Sequence, residues 1–298
     1  MPEILCPACD KPISVNIKSC ICPEGHKYSF RNNIIDFLPN TDDETLKEEV
    51  MHWDQYAIKG KQSVEPNSYI RSKILSDYES FFYRSITDEW PDYSQKRICM
   101  IEIGCGYGSA IRFLNGINFA KVDYVGIDIS LQSMLREILK PRPNWKVRFV
   151  RASANTRLFK DNTLDMVFST SALHHLSVTD VIKWTSKTLK CGGLFIINEP
   201  SEINPFAKFG RKLVRDFHTK GERPLDPKKI NKIAKEYNLE LIYEKGLHFL
   251  SGPMMYFVEI LRFPGPLSVF AYSVSKFFDR FVISPSWNYS FVQVYRRV

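Results

Sequence analysis

Cys6, Cys9, Cys22 and His26 have the types and the spacing to hold a metal ion. Cys6-Pro7-Ala8-Cys9 and Cys22-Pro23-Glu24-Gly25-His26 are two short knuckles, each offering two ligands. Three thiolates and one imidazole make a closed, tetrahedral, structural zinc site. Cys20 could replace Cys22 or His26 and is left out because those two share the tighter Pro-Gly turn. A second set is Glu102-Ile103-Gly104-Cys105-Gly106-Tyr107-Gly108-Ser109, which follows an apolar run and opens a helical stretch from Ala110. Glycines there let a ligand touch the backbone. A dinucleotide fingerprint needs glycine at the sixth position of G-x-G-x-x-G; here it is Ser109, and that spacing disfavours NAD. About 20 residues on, Tyr124-Val125-Gly126-Ile127-Asp128 ends in a carboxylate that can accept both hydroxyls of a ribose. A third set lies in Ser169-Thr170-Ser171-Ala172-Leu173-His174-His175-Leu176, where an imidazole has a pKa suited to proton transfer. Each set has a plainer reading: unrelated cysteines for the first, a tight turn for the glycines and a helix cap for Asp128, loop hydrogen bonds for the histidines. In this order along one chain, the glycine loop and Asp128 point to a single nucleoside-binding site.

The elements that must position these residues follow from hydrophobic periodicity. Apolar, β-rich runs at Ile98–Ile103, Tyr124–Ile127, Val147–Val150, Met166–Ser169 and Leu194–Asn198 alternate with helical stretches, which means parallel strands and crossover helices. Leu239–Gly246 and Tyr289–Val298 alternate as closing strands. The expected fold is α/β, a doubly wound, seven-stranded, mostly parallel sheet. Helices are expected from Thr41 to about Gly60, with acids at the N-terminal end, and from Tyr69 to Ile86. Residues 1–40 are too poor in apolar runs to fold without a staple and read as the zinc-binding module; residues 41–298 read as the larger domain.

The glycine loop, Val125 to Asp128, Leu164-Asp165-Met166-Val167-Phe168-Ser169 and Leu189-Lys190-Cys191-Gly192-Gly193-Leu194 together resemble the class I S-adenosylmethionine (SAM)-dependent methyltransferases, roughly over Trp53 to Pro200. That resemblance implies a Rossmann-like fold and SAM as cofactor. It implies that Glu102 orders the glycine loop and the methionine end of SAM. Gly104, Cys105, Gly106 and Gly108 would form the loop that admits the cofactor, Asp128 would hold the ribose and Ile129 would flank the adenine. Ser153-Ala154 stand where the family usually has Asp-Ala, so a hydroxyl would meet the adenine amino group without charge assistance. Ser169, at the end of the fourth strand, would lie beside the cofactor. His175 matches a family histidine that faces the methyl group, with His174 beside it. Glu199, at the end of the fifth strand, would orient the acceptor or end the strand. The knuckles, with Tyr28-Ser29-Phe30 and Asp36-Phe37-Leu38-Pro39, resemble the N-terminal zinc domain of the rRNA guanine-N1 methyltransferases, which brings in RNA as an alternative acceptor.

Charge and composition bear on the acceptor. The formal net charge is +8 over 298 residues, pointing to anionic partners. Between Asn204 and Lys232 nine Lys or Arg face three acids, a basic lid at about 201–235. Residues 249–286 are an apolar insertion broken by Glu259, Arg262, Pro264, Gly265 and Pro266, too interrupted for a membrane span and suited to two short amphipathic helices. Together they favour a small-molecule, lipid-linked or glycan-type acceptor, anionic and partly apolar, methylated on O or N. They also allow peripheral contact with a membrane. A SAM-binding scaffold without turnover is a third reading. No secretion signal is evident, and a cytoplasmic location is expected.

Overall fold

Strands form where the apolar runs place them, in a computed structural model that describes residues 1–16, 19–38, 43–59, 68–108, 113–114, 116–136, 143–206, 222–261, 263–282 and 284–298. The central sheet contains β5 (Arg97–Ile103), β6 (Lys121–Asp128), β7 (Trp145–Arg151), β8 (Leu164–Thr170), β9 (Leu189–Pro200), β10 (Leu239–Leu247) and β11 (Ser290–Arg297). Their order is β7-β6-β5-β8-β9-β11-β10; the first five are parallel and β11 is antiparallel to both neighbours. Because side chains alternate along a strand, adjacent residues feed opposite cores. Met100, Tyr124 and Phe168 face one, with Phe82 and Ile86 of α2 (Ser68–Thr87). Ile101, Val125 and Val167 face the other, with Val181, Ile182 and Trp184 of α4 (Val178–Thr188). Both faces are covered, as a parallel sheet requires.

The expected count of seven strands is corrected by the N-terminal segment. β1 (Ser14–Val15), β2 (Ser19–Ile21), β3 (Lys27–Arg31) and β4 (Ile34–Asp36) form an antiparallel meander, and β4 then pairs in parallel with β7, Ile35 opposite Val150. Among the described residues the sheet therefore has eleven strands. The reason is economy of burial: Ile34 and Ile35 have no core of their own and complete the two cores on either side of the larger sheet.

α1 (Glu44–Lys59) crosses the carboxyl edge and packs on the short α3 (Leu131–Leu135). α5 (Pro227–Glu236) starts on an Asp226 cap with Pro in its first turn. The 249–286 insertion carries α6 (Ser251–Ile260) and α7 (Gly265–Asp279). No helix among the described residues is long and apolar enough to cross a membrane. Ser109, the start of the helical stretch at Ala110, and Lys208, Arg211, Lys212, Arg215 and Lys220 of the basic lid lie outside the described residues.

Candidate functional site

A cavity of about 280 Å³ opens at the carboxyl ends of β5, β6 and β8, where ligands bind in open α/β sheets. The turn after β5 runs through left-handed backbone, and at Gly104 only glycine fits. Gly104 has φ +65°, and a Cβ on it would lie 2.2 Å from the Cβ of Ala172. Gly106 N donates to Asp128 Oδ2 at 2.7 Å, and Ser130 N donates to Oδ1 at 2.8 Å. Asp128 thus fixes the loop of the neighbouring strand while its carboxylate lines the cavity. Burial pushes its carboxyl above the ordinary range, against the backbone N–H groups of Ser130, Gly106 and Ile129.

Of the residues assigned from sequence, Gly104, Gly106, Asp128, Ile129, Ser153, Ala154 and His175 line this cavity. Glu102, Cys105, Gly108, Ser169 and His174 are absent from its wall and support it from behind. Cys105 is buried against Gly126, where an added Cβ would meet its Sγ at 2.7 Å, which explains the glycine in Val-Gly-Ile-Asp. Gly108 closes the turn, its N donating to Cys105 O.

Glu102 is buried and accepts from Tyr124 OH at 2.5 Å. Desolvation raises its pKa to about 8, partly opposed by that hydrogen bond. With the folded pKa above the unfolded one, the neutral acid stabilises the fold; the contribution is complete below the ordinary 4.5 and is lost as pH rises through about 8. Urea unfolding of the ligand-free chain should therefore show stability falling over that window. Glu102→Gln should flatten the dependence, and an unchanged slope in that variant would assign it to other groups.

The loop after β8 makes a sharp turn at Ser171, φ +54°, with Ser171 N donating to Asn198 O at 2.8 Å. Glu199 clamps it. Oε1 of this fully buried carboxylate accepts from Ser169 Oγ, Ala172 N and Leu173 N, and Oε2 lies 2.7 Å from His174 Nδ1. Glu199 and His174 therefore set the loop, and neither faces the cavity; the idea that Glu199 orients an acceptor is replaced by this anchoring role. His175, the next residue on a single helical turn, is the one turned to the cavity. Burial, and then the adjoining His174, lower its pKa to about 4, so its imidazole is neutral at physiological pH.

Sequence reasoning missed the roof. Leu46, Glu49, Trp53 and Tyr56 of α1 line the cavity. Their i, i+3, i+7, i+10 spacing was the available signal, a single helix face with a carboxylate among aromatics. Trp53 Nε1 donates to Glu49 Oε2 at 3.1 Å, His175 Nδ1 lies 3.8 Å from the same oxygen, and the Trp53 and His175 rings meet edge to face at 5.4 Å. Asp54 pins the helix by accepting from Ser130 Oγ and Gln132 N. The charged groups in the described lining are the carboxylates Asp43, Glu49 and Asp128.

The second candidate centre is at the N-terminus. The ligand atoms of Cys6, Cys9, Cys22 and His26 all lie within 4.8 Å of one another. Cys9 Sγ to Cys22 Sγ is 3.6 Å, and His26 Nδ1 is 3.6 Å from Cys6 Sγ and 3.2 Å from Cys22 Sγ. Tetrahedral zinc with its usual bond lengths requires edges of roughly 3.5–3.8 Å; two of these separations match, and the four atoms are near enough for small side-chain shifts to close them around such an ion. Cys20 is buried in the same apolar core as Ile35 and lies outside the cluster. The Tyr28 hydroxyl lies 3.0 Å from Cys6 Sγ, the kind of outer contact that tunes a ligating thiolate. The segment is tied to the cavity wall: Asp36 pairs with Arg151 at 3.1 Å, and Arg151 Nε donates to Ile129 O.

Residues 101–197 match the family model of a methyltransferase domain. The chain is similar to geranyl diphosphate C-methyltransferase from Streptomyces coelicolor A3(2), crystallised with Mg2+, geranyl diphosphate and S-adenosyl-L-homocysteine, at 11% identity and a TM-score of 0.57, over 87% of this chain and all (100%) of that one. It is also similar to a chain of the complex between the Haloferax volcanii Trm112 methyltransferase activator and a methyltransferase, at 12% identity and a TM-score of 0.50, over 82% and 96% respectively. No curated protein matches the chain. The fold is the Rossmann-like methyltransferase fold, with a mixed, mostly parallel sheet.

Proposed function

We propose that this chain is a SAM-dependent methyltransferase acting on O or N of a small-molecule, lipid-linked or glycan-type acceptor, with a structural zinc ion on Cys6, Cys9, Cys22 and His26. The observation that carries the reading is Asp128, which organises the glycine loop through Gly106 N and presents a carboxylate to the cavity. Asp128 would hold the ribose, and Gly104 and Gly106 would admit the cofactor chain. Ile129, Ala154 and Leu176 would flank the adenine, with Ser153 and Asn155 offering polar contacts. Carboxylates and aromatics around the opening suit a sulfonium cation. SAM, when bound, supplies an electrophilic methyl group; the chain has to align the acceptor and receive its proton. His175, neutral and held by its neighbours, would accept that proton, and Glu49 beside it would stabilise the imidazolium that results.

Two measurements test this. His175→Ala should lower turnover about 10²-fold while leaving SAM affinity intact, and wild-type turnover should stay level on the acid side until pH approaches about 4, because the accepting form persists down to there. Full turnover in the variant would mean that alignment alone suffices. The acceptor is read by transferring labelled methyl from SAM into a cell extract separated into RNA, lipid and small-molecule pools. Label in the lipid or small-molecule pool supports the reading; label in RNA replaces it with RNA methylation.

A further inference from the structure

α7 is amphipathic the wrong way round. The side chains it turns inward are Ser268, Tyr272 and Ser275, all buried, and both serines spend their hydroxyls on backbone carbonyls of their own segment. The side chains it turns outward are Leu267, Phe270, Val274 and Phe277, continued by Phe278 and Phe281, from 40% to 68% exposed. They recur at i, i+3, i+7, i+10, i+11 and i+14, so they form one stripe along one face. Phe277 stacks edge to face on both Phe278 and Phe281, which makes the stripe continuous. A helix that only packed on the domain would bury this stripe and expose the serines.

We infer that this face is a membrane-binding surface, the apolar stripe of α7 inserting into the interface of an anionic bilayer. Half of each phenylalanine is on the order of 100 Å², so the four rings alone match the largest apolar patch of a typical monomer, ~300–600 Å². Even with Leu267 and Val274 added, one helix face falls short of the ~800 Å² per partner of a stable protein interface. A bilayer needs no matching surface, and a helix of this length lying in its plane is a common interfacial anchor. Charge points the same way. Asp279 faces inward, accepting from Leu250 N and Ser251 Oγ, and Lys276 is paired with Asp77, which among the described residues of α7 leaves Arg280 as the exposed charge at the end of the stripe. The chain as a whole carries +8. The inference does not depend on the catalytic reading.

The test is flotation of the full, metal-loaded chain with vesicles of phosphatidylcholine alone and of phosphatidylcholine with phosphatidylglycerol. The chain should float with the anionic vesicles, and the triple substitution F270S, F277S, F281S should weaken that binding by about tenfold or more with unchanged zinc content and melting temperature. Should the triple variant fail to fold, Phe277→Trp supplies the reading: its emission should shift to the blue on anionic vesicles. No flotation of the wild type, equal flotation on neutral vesicles, or undiminished binding by the folded triple variant would overturn the inference. Light scattering that shows a dimer split by the triple substitution, without flotation, would overturn it in favour of a second copy.

Discussion

Asp128→Ala should reduce SAM affinity by roughly 100-fold or more. The carboxylate does two things at once: it accepts from Gly106 N and Ser130 N, which shape the loop and the turn around it, and it faces the cavity where a ribose would sit. Charged hydrogen bonds contribute about 1.5–3 kcal/mol each, and removing the acceptor leaves these backbone donors without it. Losing about 3 kcal/mol is roughly a 150-fold change in affinity. Asp128→Asn keeps the shape and one acceptor oxygen and should cost about tenfold, the part due to charge. Equilibrium binding of labelled SAM to both variants, with melting curves to confirm folding, separates the two contributions. Wild-type affinity in a folded Ala variant would remove the cofactor role from this residue.

Removing the zinc should have the largest effect on stability. The strands β1 to β4 are short, and the meander they form buries little apart from Cys20, Cys22, Ile34 and Ile35. Structural zinc contributes on the order of 10 kcal/mol in small modules that cannot fold alone. The purified chain should carry one equivalent of zinc, and Cys22→Ser should lose it and melt at a markedly lower temperature. Cys20→Ala should keep the metal, because Cys20 lies outside the cluster. A further consequence follows from the Asp36 to Arg151 to Ile129 chain of contacts, which braces the cavity wall from the N-terminal segment. Metal removal should therefore also weaken SAM binding. A chain isolated without zinc, insensitive to chelators, would contradict the assignment.

The residues that the structure groups together were largely legible in the sequence for local reasons. The glycine loop, the carboxylate ending β6 and the two knuckles are short-range patterns whose residue types are forced by backbone conformation or ligand chemistry. What stayed hidden depended on long-range pairing. Nothing local to Ile34-Ile35-Asp36 says that it will add to β7 in parallel, because a three-residue strand carries no register of its own. The roof of α1 was missed because Glu49, Trp53 and Tyr56 read as an ordinary amphipathic helix until their contact with His175 is seen. The resemblance singled out His175 in the sequence, but the role of His174 needed the structure. Adjacent residues on a tight turn point in different directions, and Glu199, 25 residues on from His174, claims one of them.

The most direct test is calorimetric titration of SAM into the zinc-loaded wild-type chain, with S-adenosyl-L-homocysteine as competitor. Saturable binding of one SAM per chain, displaced by the competitor, is the expected result. No saturable heat at any concentration, with a folded and metal-loaded protein in the cell, would mean that the cavity at Asp128 serves a different ligand and that methyl transfer is not its chemistry.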